Sequence, residues 1–360
     1  MKIFKTKFYK KKIIVTGHTG FKGSWLSLWL SILGAKVLGI SYDIPTKPSN
    51  FNIQNLRNKI RHKNIDIRDR KKLEKLFLQF QPDFVFHLAA QSLVKRSYLD
   101  PVNTFETNII GTLNVLNSLK KIKKKCISII ITSDKSYKNL EFKRGYKEQD
   151  ILGGTDPYSA SKGSAELVIQ SYIKSYFSTK KNILLGVARA GNVIGGGDWS
   201  NDRLVPDCIK SWSKKKTVIL RNPKSTRPWQ HVLEAVGGYM ILASRLKDNK
   251  KLDGEVFNFG PGSHNNHDVQ SLVQTMELYW KNVNWKIKKN KIKNHFESTL
   301  LKLNCNKASK ILGWRSVLNF KETTKLTISW YKEFYNNKKN IQNFSIDQIK
   351  YYERVLERKL

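Results

Sequence analysis

The sequence predicts an α/β fold in which a doubly wound parallel sheet precedes a smaller, mixed α/β C-terminal substrate domain. An apolar, β-branched run at Ile13–Val15 leads through a glycine-rich turn into Ser24–Leu33, whose apolar residues follow helical spacing. Strand and helix patterns then alternate as far as Ala190 and weaken beyond it. The run Ile127–Thr132 is mainly apolar, as expected for a parallel strand that is covered on both faces.

The turn after the first strand contains three glycines at a spacing of three, Gly17, Gly20 and Gly23. Gly17 can take a backbone conformation that a Cβ would resist, and Gly20 lets the backbone approach a phosphate. Gly23 lets the helix pack close to the strand, and the helix start offers free N–H groups to a pyrophosphate. An ordinary glycine turn is the alternative, but the flanking strand and helix favour a Rossmann-type dinucleotide site.

A second strand is predicted over Lys36–Ser41, and Asp43 follows it, 23 residues after Gly20. An acidic side chain at this point can bind the ribose hydroxyls of adenosine and repel a 2′-phosphate, which favours NAD over NADP. A loop aspartate without a ligand is the alternative. Asp66–Ile67 end another apolar stretch and could meet the adenine, and Phe84–Ala90 run into small residues that a cofactor can approach.

The strand Ile127–Thr132 ends at Ser133–Asp134–Lys135, and in open α/β sheets ligands bind outside the carboxyl ends of the strands. Tyr158 and Lys162 are four residues apart in a predicted helix and therefore share a face. A nearby ammonium lowers the pKa of tyrosine from about 10, and the phenolate can take a hydroxyl proton while hydride passes to a nicotinamide. Such a pair also arises by chance on helix faces, but its coincidence with the glycine turn and Ser133–Lys135 indicates catalysis.

A second phosphate-bearing ligand is suggested by the loops after the next strand. Asn192 lies in an Asn/Gly-rich loop, and Arg203, Arg221 and Arg227 fall in loops or at element edges. Arginine binds phosphates through paired hydrogen bonds, so these side chains suit an anionic substrate.

The 360-residue chain has a formal net charge of +38. Such a charge can mark a nucleic-acid binder, or it can reflect a compositional drift towards lysine on solvated faces. Because lysine is spread along the whole chain, we expect no dedicated nucleic-acid site. The three cysteines are far apart and form no CxxC pair, which fits a reducing cytoplasm and no metal site. No apolar run reaches membrane-spanning length, and the basic first twelve residues do not look like a signal peptide.

Six segments between Lys12 and Trp314 carry a resemblance to a known family. They are Thr16–Trp25 (TGHTGFKGSW), His87–Ser92, Ser133–Lys135, Asp156–Lys162, Gly195–Trp199 with Arg203–Pro206, and Arg227–His231. These segments resemble the extended short-chain dehydrogenase/reductase family of nucleotide-sugar enzymes, and within it the 4,6-dehydratases, with CDP-glucose as the implied substrate.

The resemblance implies an NAD-dependent lyase with an internal redox cycle. Tyr158 accepts the C4 hydroxyl proton, assisted by Ser133 and Lys162, while hydride passes to NAD and the 4-ketone acidifies the C5 proton. Water is lost across C5 and C6, and hydride returns to C6 to give a 4-keto-6-deoxy sugar for deoxysugar and lipopolysaccharide synthesis. Related 4,6-dehydratases use an Asp–Glu pair as acid and base. This chain has Asp134 as the acid and Lys135, which must act as a neutral amine.

The predicted sites and domains follow from the motifs and the resemblance together. The cofactor site comprises Gly17, Thr19, Gly20, Phe21, Lys22, Asp43, Asp66, Ile67, Leu88, Ala89, Ala90, Asn108, Tyr158 and Lys162. The substrate site comprises Gln91, Ser92, Asn192, Arg203, Leu204, Arg221 and Arg227. The NAD-binding domain is expected over 1–190 with 227–262 returning to it, the substrate domain over 191–226 and 263–345, and a tail helix over 346–360. Helices near 101–119 and 157–177 are expected to pair in a homodimer or homotetramer.

Two other functions remain open from the sequence. A nucleotide-sugar 4-epimerase shares the Tyr/Lys pair and NAD but needs no acid and base at the strand end, and a dehydratase could act on another nucleotide-linked hexose. A binding protein that uses the dinucleotide fold as a redox sensor on nucleic acid is suggested only by the charge.

Overall fold

The computed structural model describes residues 2–142, 144–179, 182–262, 266–281, 283–288 and 300–359. The strands in these ranges are β1 (Lys12–Thr16), β2 (Lys36–Ser41), β3 (Arg61–Asn64), β4 (Phe84–His87), β5 (Cys126–Ile131), β6 (Ile183–Ala190), β7 (Val193–Ile194), β8 (Val218–Leu220), β9 (Thr226–Arg227), β10 (Gln230–His231), β11 (Val256–Phe259), β12 (His267–Asp268) and β13 (Trp285–Ile287).

The α-helices in the same ranges are α1 (Lys2–Phe8), α2 (Phe21–Ile32), α3 (Asn50–Ile53), α4 (Arg70–Phe80), α5 (Val94–Leu99), α6 (Pro101–Phe105), α7 (Gly111–Lys120), α8 (Pro157–Tyr172), α9 (Leu204–Trp212), α10 (Val232–Asp248), α11 (Val269–Glu277), α12 (Phe320–Asn336) and α13 (Ile341–Glu357). A π-helical turn at Glu106–Ile110 joins α6 to α7, and another at Ile173–Phe177 extends α8. No helix in the described ranges is both long and apolar enough to cross a membrane.

Seven of the described strands form one parallel sheet in the order β11-β6-β5-β4-β1-β2-β3. Strand β1 pairs with β2 on one side and with β4 on the other, so the strand order reverses between β1 and β4. Ligands bind at such a reversal because the connections leave it in opposite directions and open a crevice. The predicted α/β fold with a doubly wound parallel sheet is confirmed.

Each face of this sheet is covered by helices, so the strands are buried on both sides. Apolar side chains of α2 and α10 pack on one face, including the fully buried Trp25 and Trp29. Side chains of α4, α7 and α8 pack on the other face, among them Phe77 and Ile169. Burial of each such side chain contributes roughly 1.5–3 kcal/mol, which makes the two layers the main source of stability.

Smaller pieces of sheet lie beyond the central one. β7 pairs with β10 and β8 with β13 in parallel, whereas β9 and β12 are antiparallel. These strands occur with α9, α11 and α12 in the part of the chain after Ala190, where the sequence pattern is less regular.

The last helix, α13, begins at Ile341 and packs on the sheet-bearing part of the molecule. The indole Nε1 of Trp29 donates to Glu353 Oε1 at 2.6 Å, and Tyr352 is fully buried. Helix α1 at the other end of the chain is likewise anchored, by the buried Phe4 and Phe8. Both helices place apolar residues at helical spacing within lysine-rich or polar sequence, which makes their anchoring hard to predict.

Glu234 of α10 joins the C-terminal segments to the core. Its Oε1 accepts the backbone N–H groups of Val317 and Leu318 at 2.7 and 2.6 Å, and its Oε2 accepts the hydroxyl of Tyr352 at 3.0 Å. Burial raises the pKa of this carboxyl from 4.5 to about 7, against the lowering effect of these hydrogen bonds.

This raised pKa predicts a specific loss of stability with rising pH. The folded state holds the Glu234 proton between pH 4.5 and about 7 whereas the unfolded state releases it, so the free energy of unfolding falls as pH rises through that window. The Glu234→Gln variant should lack this fall, a difference of about 3 kcal/mol between the ends of the window. Urea unfolding at both ends measures it, with the exposed Asp347→Asn as the control. Equal pH dependence in wild type and Glu234→Gln would contradict the prediction.

Candidate active site

Four parallel strands end at one edge of the sheet, and the segments that follow them line the candidate active site. Gly17–Lys22 follow β1, Leu88–Ser92 follow β4, Ser133–Lys135 follow β5, and Gly191–Asn192 follow β6. Helix α8 brings Tyr158 and Lys162 to the same edge. The carboxylate of Asp156 caps this helix by accepting the Ser159 N–H at 2.9 Å.

The glycine turn is tight against the protein on one side and open on another. Gly17 has a φ of +72°, and a Cβ added there would lie 2.7 Å from the backbone nitrogen of Ala89. A Cβ on Gly23 would collide with the Gly17 carbonyl, whereas one on Gly20 would meet only that carbonyl oxygen, at 3.3 Å. Because α2 begins at Phe21 with its first N–H groups beside the open face of Gly20, the turn fits the pyrophosphate of a dinucleotide.

The segment after β2 is tied to this turn through the backbone of Asp43. The hydroxyl of Thr19 donates to the Asp43 carbonyl at 2.7 Å, while the Asp43 carboxylate is exposed at the rim. Asp66 is held in an ion pair by Arg68 at 2.7 Å, and the buried Ile67 packs against Gly111. The Asp43 carboxylate therefore remains accessible for a ribose, whereas the Asp66 carboxylate already has a partner in the protein.

The loop after β4 is fixed by Asn108 of the π-helical turn. Asn108 accepts the Gln91 N–H at 2.9 Å, and its amide donates to the Gln91 carbonyl at 3.0 Å and the Ser161 hydroxyl at 2.8 Å. The Gln91 amide in turn contacts Leu93 and Thr104. These contacts make Asn108 and Gln91 braces that position Leu88, Ala89 and Ala90 rather than free ligand-binding side chains.

The Ser133–Lys135 tripeptide meets Tyr158 at the end of β5. The Ser133 hydroxyl donates to Asp134 Oδ1 at 2.9 Å and is hydrogen-bonded to the phenol of Tyr158. The other carboxyl oxygen, Oδ2 of Asp134, is buried, has no hydrogen-bond partner among the described residues, and faces the missing side chain of Gly191, whose Cβ would lie 3.1 Å away. Lys135 is half-buried. An orphaned, buried acid beside a serine and a tyrosine is the geometry of a site that awaits a polar ligand.

Burial sets the protonation of these groups. It raises the pKa of the Asp134 carboxyl and lowers that of the Lys162 ammonium to about 8, where the charge of Glu166 opposes the effect. The sequence predicts a lowered pKa for Tyr158, but in the structure burial raises it to about 12. The hydrogen bond with Ser133 and the charge of Arg203 offset only part of this burial effect.

Lys22 and Arg203 add positive charge to the same edge. Lys22 extends to the hydroxyl of Tyr239 at 3.4 Å, and burial together with the charges of Lys162 and Arg203 lowers its pKa to about 8. Arg203 donates to the buried Asp198 at 2.8 Å and to the Ser92 hydroxyl at 3.3 Å. Lys22, predicted to contact the cofactor, therefore also faces the catalytic groups.

The other predicted substrate residues are more dispersed. Leu204 opens α9 directly after Arg203, and the Asn192 carbonyl accepts the Gln230 N–H at 3.0 Å. Arg227 is half-buried and donates to the Thr226 carbonyl at 2.8 Å, while Arg221 is exposed at the end of β8 near Asp207. Arg203 is the arginine that the structure brings to the catalytic groups.

The motifs that line this site belong to a known protein family. The model described as "GDP-mannose 4,6 dehydratase" matches residues 14–327, which is most of the chain and includes every motif quoted above. The chain belongs to the GDP-mannose 4,6 dehydratase family. The predicted membership in the nucleotide-sugar dehydratases is thereby confirmed.

Known proteins are similar to this chain to different degrees. A CDP-glucose 4,6-dehydratase of Salmonella typhimurium is 44% identical over 328 residues, which is 89% of this chain and 90% of the relative. A UDP-glucose 4-epimerase of Mycoplasma pneumoniae is 26% identical over 91% of this chain and 98% of its own length. Among solved structures, DesIV, a dTDP-glucose 4,6-dehydratase of Streptomyces venezuelae with NAD bound, superposes with a TM-score of 0.75 at 21% identity over 89% of this chain and 97% of that chain. This last likeness shows the fold alone.

Several residues of the site had no predicted role. Asp198 lies in a quoted motif, and its pairing with Arg203 could have been inferred from the opposite charges five residues apart. Arg189 is a charge inside the otherwise apolar β6, and Glu166 lies one helical turn after Lys162. Ser97, whose hydroxyl accepts the Tyr158 N–H at 3.1 Å, carries no such signal because only the fold brings it near.

The two faces of the glycine turn predict different consequences of substitution. Gly20 has φ −74° and ψ 171°, which valine readily adopts, and its Cβ would meet only the Gly17 carbonyl oxygen, at 3.3 Å. Gly20→Val should therefore lose much less thermal stability than Gly17→Val, yet fill the pyrophosphate cradle. Calorimetric NAD affinity should fall by about tenfold or more. Gly17→Val should lose stability as well, because of its positive φ and its contact with Ala89. Wild-type NAD affinity in a folded Gly20→Val variant would show that the pyrophosphate lies elsewhere.

Proposed function

We propose that the protein catalyses the NAD-dependent dehydration of CDP-glucose to CDP-4-dehydro-6-deoxyglucose. The observation that carries this proposal is the buried, unpaired Oδ2 of Asp134 beside Ser133 and Tyr158 at the sheet edge. An epimerase has no use for an acid and an amine at that strand end. The 44% identity to the CDP-glucose 4,6-dehydratase of Salmonella typhimurium supports the same substrate.

In the first half of the reaction Tyr158 takes the proton of the C4 hydroxyl. Bound NAD supplies the acceptor for the C4 hydride and the donor that returns hydride to C6. Tyr158 starts from a raised pKa, so its phenolate must be stabilised by the positive charges nearby, those of Lys162 and Arg203, and by the Ser133 hydroxyl. The burial of Tyr158 and Lys162, each 7% exposed, keeps water from the transferred proton.

In the second half Asp134 and Lys135 remove water from the 4-keto sugar. Burial favours the protonated form of Asp134, which can therefore donate its proton to the C6 hydroxyl as that group leaves. Lys135, as a neutral amine, takes the C5 proton and returns it once hydride reaches C6. The proton that Tyr158 took from the C4 hydroxyl must then pass to Asp134, which gave its own proton to the departing water. With that transfer the net change is the loss of one water, and NAD and the protonation of every protein group are restored.

The sugar nucleotide is proposed to lie between the sheet edge and the later part of the chain. It would be surrounded by Arg203, Leu204, Asn192 and Ser92, with Arg221 and Arg227 on the outer side. Gln91, whose amide is already bound within the protein, would position this loop rather than bind the substrate. Arg203 carries the strongest case because it already contacts Ser92 and its charge opposes the rise in the pKa of Tyr158. We further propose that 191–226 and 263–345 form the substrate domain and that 1–190 with 227–262 form the NAD-binding domain.

The proposed substrate predicts which sugar nucleotide loses water. In wild type, mass spectrometry should show loss of water from CDP-glucose and less or none from UDP-, GDP- or dTDP-glucose; isomerisation without loss of water would indicate an epimerase.

The assignment of Lys135 as the base of the dehydration step predicts that hydride transfer can occur without dehydration. The Lys135→Met variant should still reduce NAD in stopped-flow absorbance, but dehydration should slow ~10²–10⁴-fold, so that NADH persists. Tyr158→Phe should form no NADH, and Lys138→Met, an exposed lysine nearby, should behave as wild type. Near wild-type turnover of Lys135→Met would require another base.

A cytoplasmic homodimer or homotetramer is also proposed, with α6–α8 at the interface. Four apolar side chains on these helices and their π-helical turns are between 41% and 66% exposed: Val102, Ile110, Leu167 and Tyr176. A groove in the same region is lined by Leu113 and Val168. Exposed apolar side chains that cluster in this way mark association surfaces.

The proposed interface predicts that a charge on it will dissociate the oligomer. Leu167→Glu, at a position that is 58% exposed, should keep the fold because the side chain makes few internal contacts, yet it should place an unpaired carboxylate in the buried interface. Light scattering at micromolar concentration should give a multiple of 41.7 kDa for wild type and a single chain for the variant. Ile219→Glu, at a position on β8 that is 63% exposed, is the control. A monomeric wild type would refute the pairing.

A further inference from the structure

Glu166 and Arg189 form an ion pair in which both side chains are only 1% exposed. Every other ion pair given for the described residues has at least one partner that is more than a quarter exposed. Arg189 Nε donates to both Glu166 oxygens, at 2.8 and 3.0 Å, and its Nη2 also binds Oε2. A buried ion pair adds little to stability after desolvation, so its presence here calls for a different explanation.

The pair contacts both segments that carry the catalytic side chains. Glu166 belongs to α8, as Tyr158 and Lys162 do, and its Oε1 accepts the hydroxyl of Thr132 at 2.7 Å. Thr132 immediately precedes Ser133. The pair therefore connects helix α8, which carries Tyr158, to the end of β5, which carries Asp134.

Arg189 extends the same connection to the loop between the two catalytic segments. Its Nη1 donates to the Glu148 carbonyl at 3.0 Å, and its guanidinium lies 4.4 Å from the ring centroid of Tyr137. Tyr137 follows the tripeptide, and Glu148 lies in the loop that leads to Tyr158. Arg189 itself is two residues before Gly191, which faces Asp134.

Glu166 also supplies the negative charge that Lys162 faces. It lies one helical turn after Lys162 on the same side of α8, and its charge opposes the effect of burial on that ammonium. The other titratable groups near Lys162 are Lys22 of α2, which is positive, and His87 of β4, which burial keeps neutral by lowering its pKa to about 3. Tyr158 is neutral until it gives up its proton.

We propose that Glu166, held by Arg189, is a positioning residue for the first hydride transfer: it fixes α8 against the end of β5 and maintains the ammonium form of Lys162. This inference rests on the proposed function, because it assigns Lys162 the role of stabilising the Tyr158 phenolate. Neither Glu166 nor Arg189 is proposed to contact the substrate; both act through Lys162, Thr132 and the loop.

The proposal predicts how the rate of NADH formation depends on pH. The rate rises with pH as Tyr158 loses its proton, and it levels off where Lys162 loses its own. Without the Glu166 charge, Lys162 loses its proton at a lower pH, so the rate levels off earlier and at a lower value. A lowering of about one pKa unit reduces the plateau about tenfold and leaves the rate at low pH unchanged.

The test replaces both charges together, because removal of one partner would leave the other buried and unpaired. Glu166→Gln/Arg189→Gln retains hydrogen-bonding side chains but carries no charge, and single-turnover stopped flow with CDP-glucose measures its profile. The expected result is a plateau at least about tenfold lower, with convergence to the wild-type rate at low pH. A reduction by the same factor at every pH, or no reduction, would overturn the electrostatic role.

Two further variants separate position from charge. Thr132→Val removes the hydrogen bond to the strand end but leaves the Glu166 charge, so its rate should fall by one factor at all pH values. Glu234→Gln, a buried carboxyl on α10 outside the site, should reproduce the wild-type profile. A Thr132→Val profile equal to wild type would overturn the positional part of the inference.

A second readout does not depend on turnover. In protein carrying ¹³C-labelled lysine, NMR titration of the Lys162 side chain, assigned with Lys162→Met, should give a lower pKa in the double variant than in wild type. An unchanged pKa would overturn the inference even if the enzyme is active. A lowered pKa in a protein that reduces no NAD with any nucleotide sugar would instead refute the proposed function alone.

Discussion

The exclusion of water from the carboxyl edge of the sheet is the constraint on which the chemistry of this site depends. Burial alone favours the neutral form of every ionisable group: it raises the pKa of Asp134 and Tyr158 and lowers that of Lys162 and Lys22. A neutral carboxylic acid is useful as a proton donor. The proposed mechanism instead needs a tyrosine that can lose its proton and a lysine that stays charged. The charge of Arg203 opposes the effect of burial on Tyr158, and the charge of Glu166 opposes it on Lys162.

The same constraint explains why so many polar side chains of the site bind one another. The Asn108 side chain forms hydrogen bonds with both the N–H and the carbonyl of Gln91, and it donates a third to the Ser161 hydroxyl on α8. The π-helical turn that carries Asn108 displaces the helix by one residue, as such turns commonly do at functional sites. Buried polar groups are costly unless they are paired, so the unpaired Oδ2 of Asp134 stands out as the position left for a ligand.

The net charge of +38 has little to do with this local arrangement. Most ion pairs of the described residues involve partly exposed lysines or arginines, and such pairs add little to stability. The acids near the catalytic groups, Asp134, Asp198 and Glu166, are each at most 4% exposed. The excess of positive charge therefore acts at longer range, where it accelerates the approach of an anionic sugar nucleotide.

The sequence by itself determined the sheet and indicated the side chains that we propose for catalysis. The apolar β-branched runs at β1, β5 and β6, the positive-φ glycine and the four-residue spacing of Tyr158 and Lys162 are local signals, because backbone sterics and helical periodicity act within a few residues. Only the tertiary structure decided the protonation of Tyr158, the bracing role of Asn108, the anchoring of α13 and the contact of Glu166 with Thr132. These depend on burial and on side chains between 17 and 324 residues apart along the chain, such as Gln91 with Asn108 and Trp29 with Glu353. Desolvation and long-range pairing are properties of the folded interior, and no local pattern in the sequence records them.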